Sequence, residues 1–318
     1  MRSCFCLLPL LVMCHHVAAQ DAELVLQRDD ETGKLSVLSD DHELLTYQYA
    51  SEFALPHIWP LRSPSGKLLT EQKPDPFPHH RSLWIADRIK IGSELDVDFY
   101  HCFKNFRQSG VPESGYKHFI RHEEFADAKA DGQTATFTSR LRWIVNESTP
   151  VIHETHTHRV VALGNGEYLL DLQWELRPAN DREDLTIVSD WVHYAWPYLR
   201  VHPQFSGENG GKILSDTGAR GQSQTNDKYA RWIDYSNTVE GKSEGVAVFS
   251  FTQSEPIKWL TREYGTFGPR RPDRLSGTRF ALKPEQPLKG RAAIFVHQGD
   301  ATAGRVAERY QQYVEGQL

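Results

Sequence analysis

The sequence predicts an all-β fold, a large antiparallel β-sandwich with one short C-terminal α-helix. Apolar and polar residues alternate along 134–145 and 168–176, which is typical of strands that bury one face of an antiparallel sheet. Turn signals rich in glycine, asparagine and aspartate separate these strands from shorter alternating runs. Helical spacing of apolar residues is found only near the end of the chain, at 301–316.

The first nineteen residues have the pattern of an export signal. Arg2 supplies a positive charge, residues 5–13 form a short apolar core, and small residues at 17–19 resemble a cleavage site. A membrane span needs roughly 20 apolar residues, and neither this run nor any later one approaches that length. We therefore expect a signal peptide at 1–19 and a periplasmic or secreted protein without a membrane span.

Charge and cysteine content limit the partners. The chain carries a net charge of −6, and loss of Arg2 with the signal leaves −7. Nucleic acid is not an expected partner, because an acidic surface gains no counterion release from it. Only Cys102 remains after the signal is removed, so no internal disulfide is expected. A lipoprotein anchor at Cys14 is not expected, because residues 11–13 lack the small residue that precedes a lipidated cysteine.

The remaining elements follow the same patterns. Shorter strands are predicted at 24–27, 44–49, 245–251 and 292–297. The helix at 301–316 has Asp300 or Thr302 available to cap its start. Its apolar stripe consists of Val306, Tyr310, Tyr313 and Val314. No linker, repeat or low-complexity tract divides the chain, which predicts a single domain at 20–318.

The segment FPHHRSLW at 77–84 is the first candidate site. Two prolines stiffen the backbone that enters it, which suits a loop that holds a side chain in a fixed place. If a strand begins at His79, alternation sends His79 and His80 to opposite faces, so that one imidazole lines a pocket while the other supports the loop. Arg81 would keep both rings neutral and could hold a carboxylate or a sugar hydroxyl. The alternative is a structural histidine pair at a strand end.

A second candidate site lies in VIHETHTHRV at 151–160. On a strand, Glu154, His156 and His158 share one face, and two imidazoles spaced two residues apart could bind zinc or copper. Glu154 would complete such a set of ligands. A divalent metal at His156 and His158 is therefore one hypothesis, and no other cofactor is predicted. The same polar alternation is also typical of the solvent face of a strand.

Two further segments carry side chains suited to sugars. Four aromatic residues surround His193 between 190 and 200, and rings with interspersed polar groups are what a sugar-binding cleft requires. Packing of these rings in the core of a sandwich is the alternative. Arg262 and Tyr264 are two residues apart, so on a strand they would point the same way and could bind an anionic or hydroxylated group. The motifs of nucleotide-binding proteins and α/β-hydrolases are absent from the sequence.

Several blocks along the chain resemble the family named methane oxygenase PmoA-like. The blocks are PHHRSLW at 78–84, DVDFY at 96–100, Glu154, ARWIDY at 230–235, EGVAVF at 244–249 and KWLTREYGTFGP at 258–269. The chain departs from the family pattern at Ser82, where glycine is usual, and the pair of His156 and His158 has no counterpart in it.

The resemblance implies a secreted protein of polysaccharide-degrading bacteria with a galactose-mutarotase-like sandwich. In that fold, histidine and acidic side chains on the concave face of the larger sheet perform acid–base chemistry on sugars, although fold alone does not fix function. A methane monooxygenase subunit, which the family name suggests, would need several membrane-spanning helices. The sequence has no apolar run long enough for one.

These patterns together predict a carbohydrate-active protein that cleaves or isomerises a glycoside or keto-sugar, as a hydrolase, lyase or epimerase. His79 or His80 would act as acid or base, because imidazole titrates near neutral pH, and Glu154 would be the complementary carboxylate. The residues predicted to contact the sugar are Arg81, Trp84, His193, Trp232, Arg262 and Tyr264. Two other hypotheses remain: a glycan-binding module without catalysis, and a metal-dependent enzyme that uses His156 and His158.

Overall fold

The computed structural model describes residues 23–102, 116–188, 195–251, 255–270 and 279–318. The predicted signal peptide at 1–19 lies outside these ranges. The strands are β1 (Leu24–Asp29), β2 (Lys34–Ser39), β3 (His42–Gln48), β4 (His57–Leu61), β5 (Leu83–Trp84), β6 (Arg88–Ile91), β7 (Leu95–Asp98), β8 (Phe119–Asp131), β9 (Thr134–Val145), β10 (Thr149–Gly164), β11 (Glu167–Pro178), β12 (Leu185–Val188), β13 (Tyr198–Arg200), β14 (Lys212–Ser215), β15 (Tyr229–Ala230), β16 (Trp232–Val239), β17 (Lys242–Ser250), β18 (Ile257–Thr261), β19 (Thr266–Pro269), β20 (Arg279–Leu282) and β21 (Leu288–Gln298).

Helices are few and short in the described part of the chain. The α-helices are α1 (Gly221–Thr225) and α2 (Val306–Val314), and single 3-10 turns lie at Ala179–Asp181, Pro203–Phe205 and Gly207–Asn209. None of these helices has the length and apolar character that a membrane span requires.

The strands form three antiparallel sheets. The first has nine strands in the order β1-β2-β3-β4-β5-β13-β19-β18-β15, and the second has eight in the order β14-β16-β17-β21-β11-β10-β9-β8. A small third sheet has the order β20-β12-β6-β7. The predicted all-β class, with antiparallel sheets and a late helix, is confirmed.

Alternation along the strands explains how the sheets bury their inner faces. In β9, the side chains of Ala135, Phe137, Leu141 and Trp143 are buried and their neighbours are more exposed. The predicted bounds of this strand agree with the structure. In contrast, β11 is buried on both faces from 168 to 172, because a second layer covers the outside of the sheet there.

The core lies between the two large sheets. Tyr47 of β3 reaches across to the eight-stranded sheet, where its ring centroid is 5.5 Å from that of Phe137 and 5.2 Å from that of His158. Each fully buried large apolar side chain stabilises the folded state by roughly 1.5 to 3 kcal/mol relative to an exposed one. Packing between the two large sheets therefore contributes strongly to the stability of the fold.

Helix α2 covers the outer face of the eight-stranded sheet. Its residues Val306, Tyr310 and Tyr313 are buried against Phe249 and Phe295, as the predicted apolar stripe requires. The helix begins five residues later than predicted, since residues 301–305 form a turn. The carboxylate of Asp300 accepts hydrogen bonds from two N–H groups of that turn, at 3.2 Å each, so it caps the turn rather than the helix.

Candidate functional site

The loop between β4 and β5 folds its two histidines inward. The N–H of Phe77 donates to Pro74 O at 2.6 Å and the N–H of His80 donates to Phe77 O at 3.0 Å, which closes two successive turns. The rings of His79 and His80 are both buried, with centroids 4.5 Å apart and planes at 77°. The expectation that they occupy opposite faces was wrong, because they lie in a turn and strand alternation does not apply.

A second loop, at the end of β7, brings a carboxylate and a third imidazole next to the loop that carries His79 and His80. Asp98 Oδ1 accepts hydrogen bonds from the N–H groups of Tyr100 and His101, at 2.9 and 3.0 Å. Its other oxygen, Oδ2, lies 2.6 Å from His101 Nδ1. The His101 ring is centred 4.5 Å from that of His79, and the Tyr100 hydroxyl lies 3.1 Å from His80 Nε2. We call these five residues the histidine cluster.

The histidine cluster includes groups that the sequence did not reveal. Neither Asp98 nor His101 is among the site residues predicted from the sequence, where DVDFY carries only a family resemblance. The signal was present in the chain as an aspartate followed three residues later by a histidine, directly after a strand. A carboxylate at that spacing can accept the backbone N–H groups of the following turn and still reach the imidazole.

Aromatic rings surround the cluster. Phe77 lies between His80 and Tyr264, with centroid distances of 5.0 and 5.2 Å and nearly parallel planes at 12° and 23°. Trp84 stacks on Tyr198 at 4.9 Å and lies 5.5 Å from His80. Phe77 and Tyr264 are only half-buried, so part of each ring is available to the apolar face of a ligand.

Burial keeps the imidazoles of the loop neutral. It is the largest influence on His79, whose pKa falls to about 3, with smaller contributions from His101 and Arg81. The pKa of His80 also falls well below its usual value, through burial first and then through His79 and Arg200. Neutral rings were predicted from Arg81, but burial is the stronger cause.

Asp98 is partly buried and remains ionised. Burial alone would raise its pKa, but hydrogen bonds from His101 and from the backbone of Tyr100 outweigh that effect and lower the pKa. A carboxylate fixed in this way orients the Nδ1–H of His101 toward itself, which sets the tautomer with the lone pair on Nε2.

Two buried guanidinium groups lie beside the cluster. Arg81 is 1% exposed and Arg200 is 6% exposed. Arg81 Nη1 donates to Pro78 O at 2.8 Å. The guanidinium of Arg200 lies over the ring of Tyr264, 4.6 Å from its centroid. In the described part of the chain, neither Arg81 nor Arg200 lies within 4.0 Å of a carboxylate.

Glu154 occupies a different place, inside the sandwich. On β10 the side chains of Glu154, His156 and His158 face inward and are buried, while those of the intervening residues face outward. The predicted sharing of one face is confirmed, and the solvent-face alternative is wrong because the nine-stranded sheet covers this face. The polar side chains enclose a cavity with about 20 Å³ for water centres, which is enough for about one water molecule.

Charge in this cavity is suppressed by burial. Burial raises the pKa of Glu154 to about 7, opposed in part by a hydrogen bond of 2.8 Å from Trp143 Nε1 to Glu154 Oε2. Burial lowers the pKa of His156 to about 3. The 3.6 Å contact between His156 Nδ1 and Glu154 Oε1 therefore joins two neutral groups below pH 7 rather than an ion pair.

Trp84 separates this cavity from the histidine cluster. The indole lines the cavity that contains Glu154, and it also lies 5.5 Å from the ring of His80. The predicted trio of His79, His80 and Glu154 is thus divided: the two histidines lie together, and Glu154 lies behind Trp84.

A family sequence model matches residues 34–311 of the chain, under the description "Family of unknown function (DUF6807)". The chain belongs to this family. None of the comparisons supports the resemblance to the methane oxygenase PmoA-like family, so DUF6807 replaces it. A search of curated proteins found no significant match.

Solved structures similar to this DUF6807 chain include three sugar-epimerase relatives. A galactose mutarotase related enzyme from Lactobacillus acidophilus has 10% identity and a TM-score of 0.32, covering 86% of this chain and 97% of its own. A galactose 1-epimerase from Lactobacillus acidophilus NCFM has 11% identity and a TM-score of 0.35, covering 87% and 99%. An aldose epimerase homologue from C. elegans has 8% identity and a TM-score of 0.34, covering 88% and 100%. Likenesses this distant do not assign a function, which has to be argued from the site.

The other predicted contacts of the DUF6807 chain are scattered. Tyr264 joins the histidine cluster through Phe77, but Arg262 Nη1 donates to Asn226 Oδ1 at 2.7 Å instead. The expectation that Arg262 and Tyr264 point the same way was wrong, because the N–H of Gly265 donates to Arg262 O at 2.8 Å and closes a turn there.

The residues predicted to contact the sugar also include Trp232 and His193. Trp232 packs beneath α2 with Phe249 and Tyr310, on the outer face of the sheet, and so lies away from the histidine cluster. His193 lies outside the described residues. As for the metal hypothesis at His156 and His158, the described ranges contain no group of three or more histidine, cysteine or acidic side chains placed to hold a metal ion.

Proposed function

We propose that this protein performs acid–base chemistry on a carbohydrate at the histidine cluster. The observation that carries the proposal is the 2.6 Å contact between Asp98 Oδ2 and His101 Nδ1, which is partly buried beside two neutral imidazoles and half-exposed aromatic rings. A pyranose needs an aromatic surface for its C–H face and convergent polar groups for its hydroxyls. The cluster offers both.

The roles follow from the protonation states. Asp98 holds His101 in the tautomer that places the lone pair on Nε2, so His101 can accept a proton from the sugar and return it. His80 is neutral and lies 3.1 Å from the Tyr100 hydroxyl, so this pair can bind a sugar hydroxyl or carbonyl oxygen. Glu154 is not among the groups that touch the sugar in this proposal, since its cavity has space for about one water molecule.

The single carboxylate of the cluster favours isomerisation over hydrolysis. Most glycosidases place two carboxyl groups on either side of the glycosidic bond. Among the described residues of the histidine cluster there is only Asp98, and it is engaged with His101. When a hemiacetal ring opens, His101 takes the proton of the anomeric hydroxyl and the ring oxygen gains a proton from water, whose hydroxide then takes the proton from His101. When a keto-sugar enolises, His101 takes a proton from the carbon next to the carbonyl, and the carbonyl oxygen gains one from water in the same way. The pattern of residues 1–19 supports export, so we place this activity in the periplasm or outside the cell.

A sugar panel tests the proposal. We expect the purified protein to accelerate anomer exchange, or solvent-deuterium incorporation next to a carbonyl, for at least one aldose, uronate or keto-sugar followed by proton NMR. The His101→Gln variant should lose this acceleration. The control is His153→Gln, which changes an exposed imidazole on the outer face of β10 and should retain it. Equal rates in the two variants would refute the assignment, and binding without any exchange would indicate a glycan-binding module.

A further inference from the structure

The charged side chains beside the histidine cluster indicate which class of sugar it binds. Both Arg81 and Arg200 lower the pKa of His80, so both guanidinium groups act on the same imidazole. The carboxylate of the cluster, Asp98, is held by His101 at 2.6 Å. The charged side chains with the largest influence on the pKa of His80 are therefore positive.

Arg200 has buried hydrogen-bond donors for which the described residues supply no acceptor. Its Nε and Nη1 atoms are buried and have no hydrogen-bond partner among the described residues. Glu71 and Glu208 act on its charge from a distance, but neither makes an ion pair with it within 4.0 Å. Burying a guanidinium without a paired anion is strongly unfavourable, which disfavours a purely structural role.

Arg291 of the same chain is an arginine with a structural role and provides a comparison for Arg200. Arg291 lies beneath α2, where its Nε and Nη2 donate to the two oxygens of Asp171 at 2.9 and 2.8 Å. The unfavourable burial of that guanidinium is offset by a carboxylate that accepts two parallel hydrogen bonds from it. Arg200 is more deeply buried than Arg291, yet among the described residues no carboxylate lies within 4.0 Å of it.

We propose that Arg200 binds the carboxylate of an anionic sugar, of the uronic acid class, at the histidine cluster. Its planar fork matches a carboxylate in shape and charge. Tyr264 holds the guanidinium in place from one side at 4.6 Å. Phe77 stacks on Tyr264 on one side and on His80 on the other. A sugar whose carboxylate binds Arg200 would therefore lie along these rings, with its other end at the imidazoles of the histidine cluster.

This inference rests on the proposed function, but binding tests it separately from turnover. Calorimetric titration would compare sodium glucuronate and galacturonate with glucose and galactose, each at the same ionic strength. We expect at least one uronate to bind about tenfold or more tightly than its neutral hexose, as a charge-assisted hydrogen bond implies. The Arg200→Gln variant should lose that preference, and Arg200→Lys should keep part of it.

The control is Arg220→Gln, which removes an exposed guanidinium at the start of α1 and should leave the preference unchanged. A melting curve for each variant establishes that it is folded. Equal binding of uronate and hexose, unchanged preference in Arg200→Gln, or no binding of any sugar would overturn the inference. Binding of inorganic sulfate as tight as that of the uronates would also overturn it. Uronate binding without proton exchange would instead contradict only the proposed enzymatic activity.

Discussion

The Asp98→Asn substitution is expected to lower turnover of the sugar by about 10² to 10⁴-fold, with a much smaller effect on KM. Asparagine keeps the shape of the side chain and can still accept the backbone N–H groups of Tyr100 and His101, which lie at 2.9 and 3.0 Å from Asp98 Oδ1. It cannot supply the negative charge that fixes the tautomer of His101 and stabilises the imidazolium when the proton arrives. Steady-state kinetics on the sugar identified by the panel measures the effect.

The matched control is Asp127→Asn, which removes an exposed carboxylate on β8. Its turnover should equal that of the unmodified chain. A loss confined to KM in Asp98→Asn, or no loss at all, would mean that the pair of Asp98 and His101 shapes the loop without moving a proton.

The Glu154→Gln substitution is expected to stabilise the folded chain at pH 8 by about 3 kcal/mol. Burial raises the pKa of this carboxyl from 4.5 to about 7, so the folded chain binds its proton more tightly than the unfolded chain does. Stability of the unmodified protein therefore falls as the pH rises from about 4.5 to 7 and stays low above that. Glutamine cannot ionise, but its amide oxygen can still accept the hydrogen bond from Trp143 Nε1.

Urea unfolding at pH 5 and pH 8 measures this difference. The advantage of Glu154→Gln over the unmodified chain should be small at pH 5 and near its maximum at pH 8. Glu31→Gln, at an exposed position, is the control and should show no such trend. If Glu154→Gln were less stable at pH 8, the ionised carboxylate would have to be paired with a protonated His156, contrary to the neutral imidazole inferred here.

Local pattern predicted the fold well. Apolar periodicity predicted the bounds of β9 and the buried stripe of α2, because both depend on which side of an element is covered. It could not say which sheet covers a given face. The alternation of Glu154, His156 and His158 was therefore also compatible with a solvent-exposed face. Only the packing of the two large sheets against each other places these side chains inside the core.

The site was predicted only in part. Proline and histidine spacing marked the loop at 77–84, but not that a turn brings the rings of His79 and His80 to one side. Arg200 was missed because its importance depends on pairing between β13 and β5, where Leu199 faces Leu83. Such a contact joins residues more than a hundred positions apart, and no local pattern encodes it.

Sugar binding at the histidine cluster is tested most directly by NMR of the imidazole rings. Protein carrying ¹⁵N-labelled histidine would be titrated with each sugar of the panel, with His42 and His153, both exposed and outside the cluster, as internal references. We expect the ring signals of His79, His80 and His101 to shift together while the two references do not move. Saturable binding that leaves those three rings unchanged would contradict binding at the histidine cluster.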